Sequence, residues 1–264
     1  EIGLKPVRKQ KVALLFDVGI EDHLLQRHLD VANACRATLG IDIRSVAKTD
    51  APLEIRLTSA SSGTSWGLIK NPEVLLRTGD KLKNEGATAI AVITRFPEAV
   101  SSELVDKYRK GEGVDLFAGA EAVISHLLVK HLSIPCAHSP ALNIAPVNEG
   151  LDPRAAAEEL GHTFLSCVLV GLSRAPDMVI LKNKIKQSFD SSSDLLTVDS
   201  LGAVVAPAGA LGGGAILACL ERNIPIIGVS NPGLINVNAR SLGLTKKKGE
   251  LHEFNFYHAN NYVE

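Results

Sequence analysis

The stretch VDSLGAVVAPAGALGGGAILACLERNIPIIGVSNPGL, residues 198–234, contains the pattern on which the fold prediction depends. An apolar run ends at a loop with four glycines, a helical pattern follows, and a second apolar run ends at Ser230 and Asn231. A strand, a turn, a helix and a further strand in this order are typical of a βαβ unit, in which the two strands are parallel. The stretch therefore predicts an α/β fold.

The same alternation of strands and helices occurs along most of the chain. Buried strands are predicted at KVALLFD (11–17), IDIRSVAKTD (41–50), ATAIAVITRFP (87–97), IPCAHSPAL (134–142) and DMVIL (177–181); helices are predicted at 21–40, 71–86, 119–132 and Pro153–Leu172; TSASSGTSWG (58–67) is predicted to be a polar loop. Gly40 is placed to end the first helix, and Asn71 and Pro72 to begin the second as N-cap and first residue. We predict a mostly parallel sheet with helices on both faces.

Two segments of the sequence resemble each other. The segments that begin at Gly119 and Gly212 each contain an amphipathic helix with small residues at its start, an Ile-Pro entry into a strand, and a polar-Pro-small-Leu exit. This likeness predicts two similar Rossmann-like lobes, residues 1–150 and 151–264, within one α/β unit that shares a cleft. The alternative is that common α/β patterns alone produce the likeness.

Composition excludes several classes of function. The chain has 264 residues, 45% of them hydrophobic and 22% charged, with a formal net charge of −1. A near-neutral chain lacks the basic face that nucleic-acid binding needs, and no apolar run reaches the roughly 20 residues of a transmembrane helix. The four cysteines have no zinc or redox spacing, so we expect them to be structural thiols.

Two glycine-containing loops are candidate anion sites. The first comprises Gly209, Gly212, Gly213 and Gly214, with Ser230 and Asn231 at the next strand exit; the second includes Ser61, Gly63 and Thr64. Loops that lead into helix N-termini at the carboxyl edge of a sheet offer free N–H groups to anions. The alternatives are a tight turn for the first loop and a surface connector for the second. The first loop matches neither a P-loop nor a G-x-G-x-x-G motif, so the sequence does not support a nucleotide and the cofactor is unknown.

Polar residues at predicted strand ends are the candidate catalytic groups. Asp17 ends the first strand, Arg95 follows the strand at 87–94, and His138 with Ser139 closes the run IPCAHSP (134–140). Arg95 would hold an anionic group, His138 would transfer a proton, and Asp17 would orient the histidine or act as the partner base. The alternative for each is a structural role, because strand-end polar groups commonly bond to helix termini and loop amides.

Four long stretches of the chain resemble an uncharacterised family of cyanobacterial and plastid proteins that carries a domain of unknown function. They are DVGIEDHLLQRHL, NEGATAIAVITRFPE, AEAVISHLLVKHLSIPCAHSPAL and DSLGAVVAPAGALGGGAILACLERNIPIIGVSNP. The resemblance implies a chloroplast stromal or cyanobacterial cytoplasmic setting and brings no established reaction. Members of that family also carry a Gly-rich segment upstream, so we expect this chain to be a fragment or an incompletely ordered copy.

The fold pattern is also similar, more loosely, to that of the aspartate/glutamate racemase group. Those enzymes use a cysteine at a strand end in each lobe as acid and base. Here the corresponding exits are ITRFPE and APAGAL, whereas Cys136 lies within a predicted strand and Cys219 within a predicted helix. A two-thiol racemase is therefore not expected.

Together these features predict that the chain binds a small carboxylate- or phosphate-bearing metabolite in a cleft at the carboxyl ends of the strands. Acid/base chemistry of the isomerase or lyase type would follow from the candidate catalytic groups. The alternative is a non-catalytic plastid assembly or regulatory factor on an enzyme-like fold, acting through a protein partner or as a homo-oligomer. Lys246–Lys248 could serve such contacts, but a solvated loop is the more usual role of such a run.

Overall fold

A computed structural model of the chain describes residues 2–97, 102–143, 149–158, 163–181, 194–230, 235–244 and 255–264. Its helices are α1 (Asp22–Leu39), α2 (Pro72–Asn84), α3 (Ser102–Arg109), α4 (Ala118–Leu132), α5 (Pro153–Glu158), α6 (Leu165–Ser173) and α7 (Gly214–Glu221). Its strands are β1 (Ile2–Lys5), β2 (Val12–Phe16), β3 (Ile43–Lys48), β4 (Ile55–Ser59), β5 (Ser65–Ile69), β6 (Ala89–Arg95), β7 (Cys136–Ala141), β8 (Asp177–Ile180), β9 (Val204–Pro207), β10 (Ile226–Val229) and β11 (Phe256–Ala259).

The largest sheet has four parallel strands in the order β3-β2-β6-β7. Side chains alternate along β2, so Ala13 and Leu15 pack with α2 and α4 while Leu14 and Phe16 pack with α1 and α6. Both faces of this sheet are therefore covered by helices, as parallel sheets require. The predicted α/β class with a parallel sheet is confirmed.

The remaining sheets are small. β9, β10 and β11 form a three-stranded parallel sheet, and β1 pairs with β8 in the antiparallel sense. The polar loop predicted at 58–67 is wrong at both ends, because β4 and β5 pair with each other and only residues 60–64 connect them. A connection of this length is long enough for an antiparallel hairpin but not for a parallel crossover. These sheets do not show two similar Rossmann-like lobes.

The chain forms two compact units. The first comprises residues 1–58, 65–111 and 115–196, and the second comprises residues 59–64, 112–114 and 197–264. The main division thus falls after Leu196, whereas the sequence pattern placed a lobe boundary at residue 150. The four-stranded sheet belongs to the first unit and the three-stranded parallel sheet to the second.

Most sequence signals for helix ends are confirmed. Gly40 follows α1 in the left-handed conformation, with φ of 63°, and Pro72 begins α2. Asn71 precedes α2 but does not cap it with its side chain, because its Nδ2 donates to the carbonyl oxygen of Pro52 at 2.8 Å.

The single long helix predicted at Pro153–Leu172 is wrong. The chain bends at Thr163 and Phe164, and the hydroxyl oxygen of Thr163 accepts a hydrogen bond from the amide of Leu165 at 2.9 Å. This side-chain bond satisfies an amide at the start of α6 that has no partner within the helix, so a new helix starts here.

Candidate functional site

The carboxyl edge of the four-stranded sheet carries the predicted catalytic residues. Asp17 directly follows β2, and Arg95 is the last residue of β6. His138 does not lie at a strand end, because β7 continues for three more residues to Ala141. The strand extends through Pro140 because β7 is an edge strand, where a residue without an N–H is tolerated.

Asp17 is a buried junction between two loops. Its Oδ1 accepts hydrogen bonds from the amides of Gly19 at 3.1 Å and Leu53 at 3.3 Å. Burial raises the pKa of the Asp17 carboxyl, and hydrogen bonds from the amides of Gly19, Leu53 and Arg95 and from the Thr49 side chain offset part of that effect. Asp17 therefore fixes the loops that follow β2 and β3, and its role as a base stays a prediction.

Arg95 already holds a carboxylate of the protein. Its Nε donates to both carboxylate oxygens of Glu21, at 3.0 Å and 2.8 Å, and its Nη1 donates to the carbonyl oxygens of Phe96 and Ala141. Glu21 immediately precedes α1, so this pair fastens the start of that helix to the edge of the sheet. A substrate carboxylate would have to displace Glu21, and substrate binding by Arg95 stays a prediction.

His138 is sealed within the first unit. Its side chain is 0% exposed, its Nε2 lies 2.6 Å from the hydroxyl oxygen of Thr94, and its ring packs edge-on against Phe96. The carboxylate oxygen of Glu121 lies 3.5 Å from its Nδ1. A proton-transfer role for His138 stays a prediction, and this position gives a substrate no direct access to the imidazole.

The structure does not bring the three predicted catalytic side chains together. His138 faces Glu121 of α4, on one face of the sheet, whereas Arg95 faces Glu21 at the start of α1, on the other face. Sequence reasoning places residues at a sheet edge correctly, but the face depends on the register within each strand. Arg95 and Thr94 are adjacent in β6 and therefore point to opposite faces.

A small cavity lies beyond the carboxyl end of β7 in the first unit. Its volume is about 90 Å³. The residues that line it are Leu104, Val105, Tyr108, Arg109, Asp115, Leu116, Phe117, Pro140, Leu142, Asn143, Ala155, Thr163 and Phe164. Open α/β sheets bind ligands beyond the carboxyl ends of their strands, and this cavity lies at that end of the edge strand.

The polar residues of this cavity were not identified from the sequence. Arg109 is the last residue of α3 and is only 5% exposed, and Asp115 and Asn143 also line the cavity. All three make contacts within the protein, and Asp115 accepts a hydrogen bond from the amide of Phe117 at 2.8 Å. The only signal in the sequence is the apolar stripe of Leu104, Val105 and Tyr108 on a short helix, which does not indicate a buried arginine.

The two predicted anion loops belong to the second unit, where both contact Ile235. A Cβ on Gly209 would lie 2.5 Å from the carbonyl oxygen of Ile235, and a Cβ on Gly63 would lie 3.5 Å from its Cγ2. Gly209 therefore serves a close backbone approach, and Gly63 serves a turn with φ of 85°. Ser61 and Thr64 lie in the same turn, where the Thr64 hydroxyl contacts that of Ser62 at 2.9 Å.

The remaining glycines of the first loop differ in the space around them. A Cβ on Gly212 would lie 2.9 Å from Val237, whereas Gly213 and Gly214, at the start of α7, face open space. Packing thus explains Gly209 and Gly212, and anion binding at Gly213 and Gly214 stays a prediction. Asn231 and Lys246–Lys248 lie outside the described residues.

Two further observations limit the chemistry of the described residues. Among them, no group of three His, Cys, Asp or Glu side chains is placed to hold a metal ion. Within the same ranges, none of the helices has the length and apolar character needed to cross a bilayer.

The buried thiol of Cys136 gives a prediction about reactivity. Burial raises the pKa of Cys136 to about 12, so almost none of it is thiolate at pH 8. Because the thiolate is the nucleophile, we expect iodoacetamide to alkylate Cys136 at least about 100-fold more slowly in the folded than in the urea-unfolded protein. Peptide mass spectrometry measures both rates, and the exposed Cys167 is the internal control. Equal rates for Cys136 in the two states would contradict a structural role.

Two comparisons with known proteins found similar sequences. A family model described as a protein of unknown function, DUF3326, matches residues 1–264. An uncharacterized lipoprotein of Synechococcus sp. (strain PCC 6301) is 44% identical over 250 residues, which cover 94% of this chain and 68% of that protein. No solved structure matches the chain. The looser likeness to the racemase group is therefore not shown.

Proposed function

We propose a function for this chain, which belongs to the DUF3326 family of proteins of unknown function. The chain binds a small carboxylate-bearing metabolite at the carboxyl edge of the four-stranded sheet. The observation that carries this proposal is the cavity beyond β7 with Arg109 in its wall. The cyanobacterial relative supports a cyanobacterial or plastid origin. That relative is called a lipoprotein, which does not specify a compartment. We therefore include the chloroplast stroma or cyanobacterial cytoplasm in the proposal.

The size and lining of the cavity define the apolar part of the ligand. Its volume of about 90 Å³ suits a branched group of about four carbons, since an apolar cavity of about 150 Å³ holds a molecule the size of benzene. Leu104, Leu142 and Phe164 offer this group an apolar wall. Removing such a group from water would supply about 2 kcal/mol of binding free energy.

Arg109 defines the polar part of the ligand. A guanidinium has five N–H donors in a planar fork and can bond a ligand carboxylate while it keeps a contact within the protein. Its low exposure strengthens a charge-assisted hydrogen bond relative to one in water. A carboxylate is favoured over a phosphate because the apolar lining would oppose the desolvation of a dianion.

Acid/base catalysis is a weaker proposal than binding. The burial of His138 and the engagement of Arg95 by Glu21 favour the alternative in which the enzyme-like fold binds without catalysing a reaction. Isomerase or lyase chemistry stays a hypothesis, and it would require a catalytic group other than Asp17, Arg95 and His138.

A role as an assembly or regulatory factor is the second candidate, and an exposed apolar surface favours it. Ile2 pairs with Ile180 across the sheet of β1 and β8, and Leu4 forms a bridge with Leu196. All four are exposed, at 46%, 61%, 39% and 56%, respectively. Residues that pair directly lie on the same face, so they form one apolar patch that a protein partner or a second copy could cover.

Binding to the cavity is tested with 3-methylbutanoate and its neutral analogue 3-methylbutanamide. We expect calorimetry to show binding of the carboxylate, and at least about tenfold weaker binding to an Arg109→Met variant, because the charge-assisted bond is worth about 1.5–3 kcal/mol. The amide should bind both proteins equally weakly. The matched control is Arg77→Met, because Arg77 is an exposed arginine paired with Asp50 on the surface.

A second variant keeps Arg109 and fills the cavity. Ala155 is buried in the wall of the cavity, so Ala155→Leu should fill it and abolish binding of 3-methylbutanoate. Circular dichroism establishes that each variant is folded. Equal binding of the acid and the amide to the wild-type protein, or undiminished binding to folded Ala155→Leu, would refute the proposed site.

A further inference from the structure

Ser230 and His258 form a hydrogen-bonded pair in the second unit. The hydroxyl oxygen of Ser230 lies 2.9 Å from Nε2 of His258, and both residues are exposed. Ser230 directly follows β10, and His258 is the third residue of β11. The amide of Ser230 donates to the carbonyl oxygen of Ala259 at 2.9 Å, so the two chain segments are held in register where the side chains meet.

The pair lies on the face of the sheet that α7 covers. Ile226 packs in one cluster with Ile216 of α7. Phe256 packs against the same cluster, and its ring lies over Gly228. Alternate residues of a strand share a face, so Ser230 lies on the side of Ile226 and Gly228, and His258 on the side of Phe256.

The N-terminus of α7 lies at the same end of this sheet. α7 follows β9 and returns the chain to the parallel strand β10, so it starts at the carboxyl ends of these strands. Its N-cap Gly213 has no side chain, and Gly213 and Gly214 face open space. The first-turn amides of a helix have no acceptor within the helix and stabilise negative charge nearby.

From this geometry we propose that Ser230 is a nucleophile and His258 its general base, in an acyl-transfer site that hydrolyses small activated esters. A serine hydroxyl becomes nucleophilic when a hydrogen-bonded imidazole accepts its proton, and the observed separation is within the range for such a pair.

The reaction proceeds in two balanced steps. Ser230 Oγ attacks the ester carbonyl carbon while Nε2 of His258 takes the hydroxyl proton, and the leaving alcohol then departs with that proton as the C–O bond breaks. A water molecule then attacks the acyl-serine and gives one proton to His258. The acyl C–O bond to Ser230 breaks as His258 returns that proton to Oγ, which releases the acid and regenerates the serine hydroxyl. The N-terminal turn of α7 lies at the end of the sheet where the oxyanion of each tetrahedral intermediate would form.

Hydrolysis of p-nitrophenyl acetate tests this inference. We expect release of p-nitrophenol by the wild-type chain, a loss of at least about tenfold in both Ser230→Ala and His258→Gln, and acetylation of Ser230 detected by peptide mass spectrometry. Ser200→Ala and His131→Gln are the matched controls, because these exposed residues make hydrogen bonds elsewhere on the surface. Both control variants should hydrolyse the ester at the wild-type rate.

The wild-type protein alone can overturn the proposal. No hydrolysis, or acetyl groups found only on residues other than Ser230, would exclude a nucleophilic role, and neither measurement depends on the folding of a variant. This inference goes beyond the proposed carboxylate site and concerns the other unit, so its failure would leave that proposal standing.

Discussion

Gly119→Ala is expected to lower the free energy of unfolding by about 3 kcal/mol, because the new methyl group has no room. A Cβ at Gly119 would overlap the carbonyl oxygen of Ser65 and lie 2.5 Å from its carbonyl carbon, both backbone atoms of β5 that cannot rotate away. The Gly119 amide also donates to Oγ of Ser65 at 3.0 Å, a bond that separation of α4 from β5 would break. Urea unfolding followed by circular dichroism measures the change.

Gly171→Ala is the matched control. Gly171 lies within α6, and a Cβ there would have nothing within 4 Å. Alanine is the better helix former, so this variant should be more stable than the wild-type protein by about 0.5–1 kcal/mol. A Gly119→Ala protein as stable as the wild type would show that β5 and α4 are not packed as closely as described.

The closeness of β5 to α4 explains why the hairpin was missed in the sequence. The segment at 58–67 is rich in Ser, Gly and Thr, which favours a loop, and its strand character comes from tertiary contacts. Gly67 and Gly119 permit the contact, because each lies against backbone of the other element. The helices and buried strands, in contrast, were predictable because their apolar periodicity and their Gly and Pro ends are local signals.

The candidate sites were less predictable than the fold for a related reason. The sequence places Asp17 and Arg95 at the correct edge of the sheet, but it does not show that Arg95 is engaged by Glu21, which lies 74 residues away in the chain. Arg109 lines a cavity formed by segments between residues 104 and 164, a proximity that no spacing rule gives. Ser230 was expected to bind an anion, and its partner His258 lies in a strand that the sequence pattern did not predict.

Asp17→Ala is expected to be the most destabilising change at the sheet edge, by about 3 kcal/mol near neutral pH. It removes the acceptor of the Gly19 and Leu53 amides, and each buried amide left without a partner costs about 1–3 kcal/mol. Asp17→Asn keeps one carbonyl oxygen at this position, so we expect it to cost about 1 kcal/mol. Urea unfolding of the three proteins measures both differences.

The pH dependence of the free energy of unfolding distinguishes the ionisation of the Asp17 carboxyl from the shape of its side chain. Burial raises the pKa of folded Asp17 above 3.8, so over the interval between these two pKa values the folded state holds a proton that the unfolded state has lost. The stabilisation by Asp17 is therefore complete below pH 3.8 and falls as the pH rises through the folded pKa. Asp42 and Asp50 act in the opposite direction, because hydrogen bonds from Arg44 and Arg77 lower the pKa of these carboxyls.

Subtracting the stability of Asp17→Asn from that of the wild-type protein at each pH cancels the contributions that the two proteins share. We expect this difference to be largest in acid, to decrease from pH 3.8 upwards, and to be constant once folded Asp17 is ionised. A difference that increases with pH would mean that the amides of Gly19, Leu53 and Arg95 outweigh burial. Asp17 would then be a stabilised carboxylate in the folded chain, and a weaker base than its burial implies.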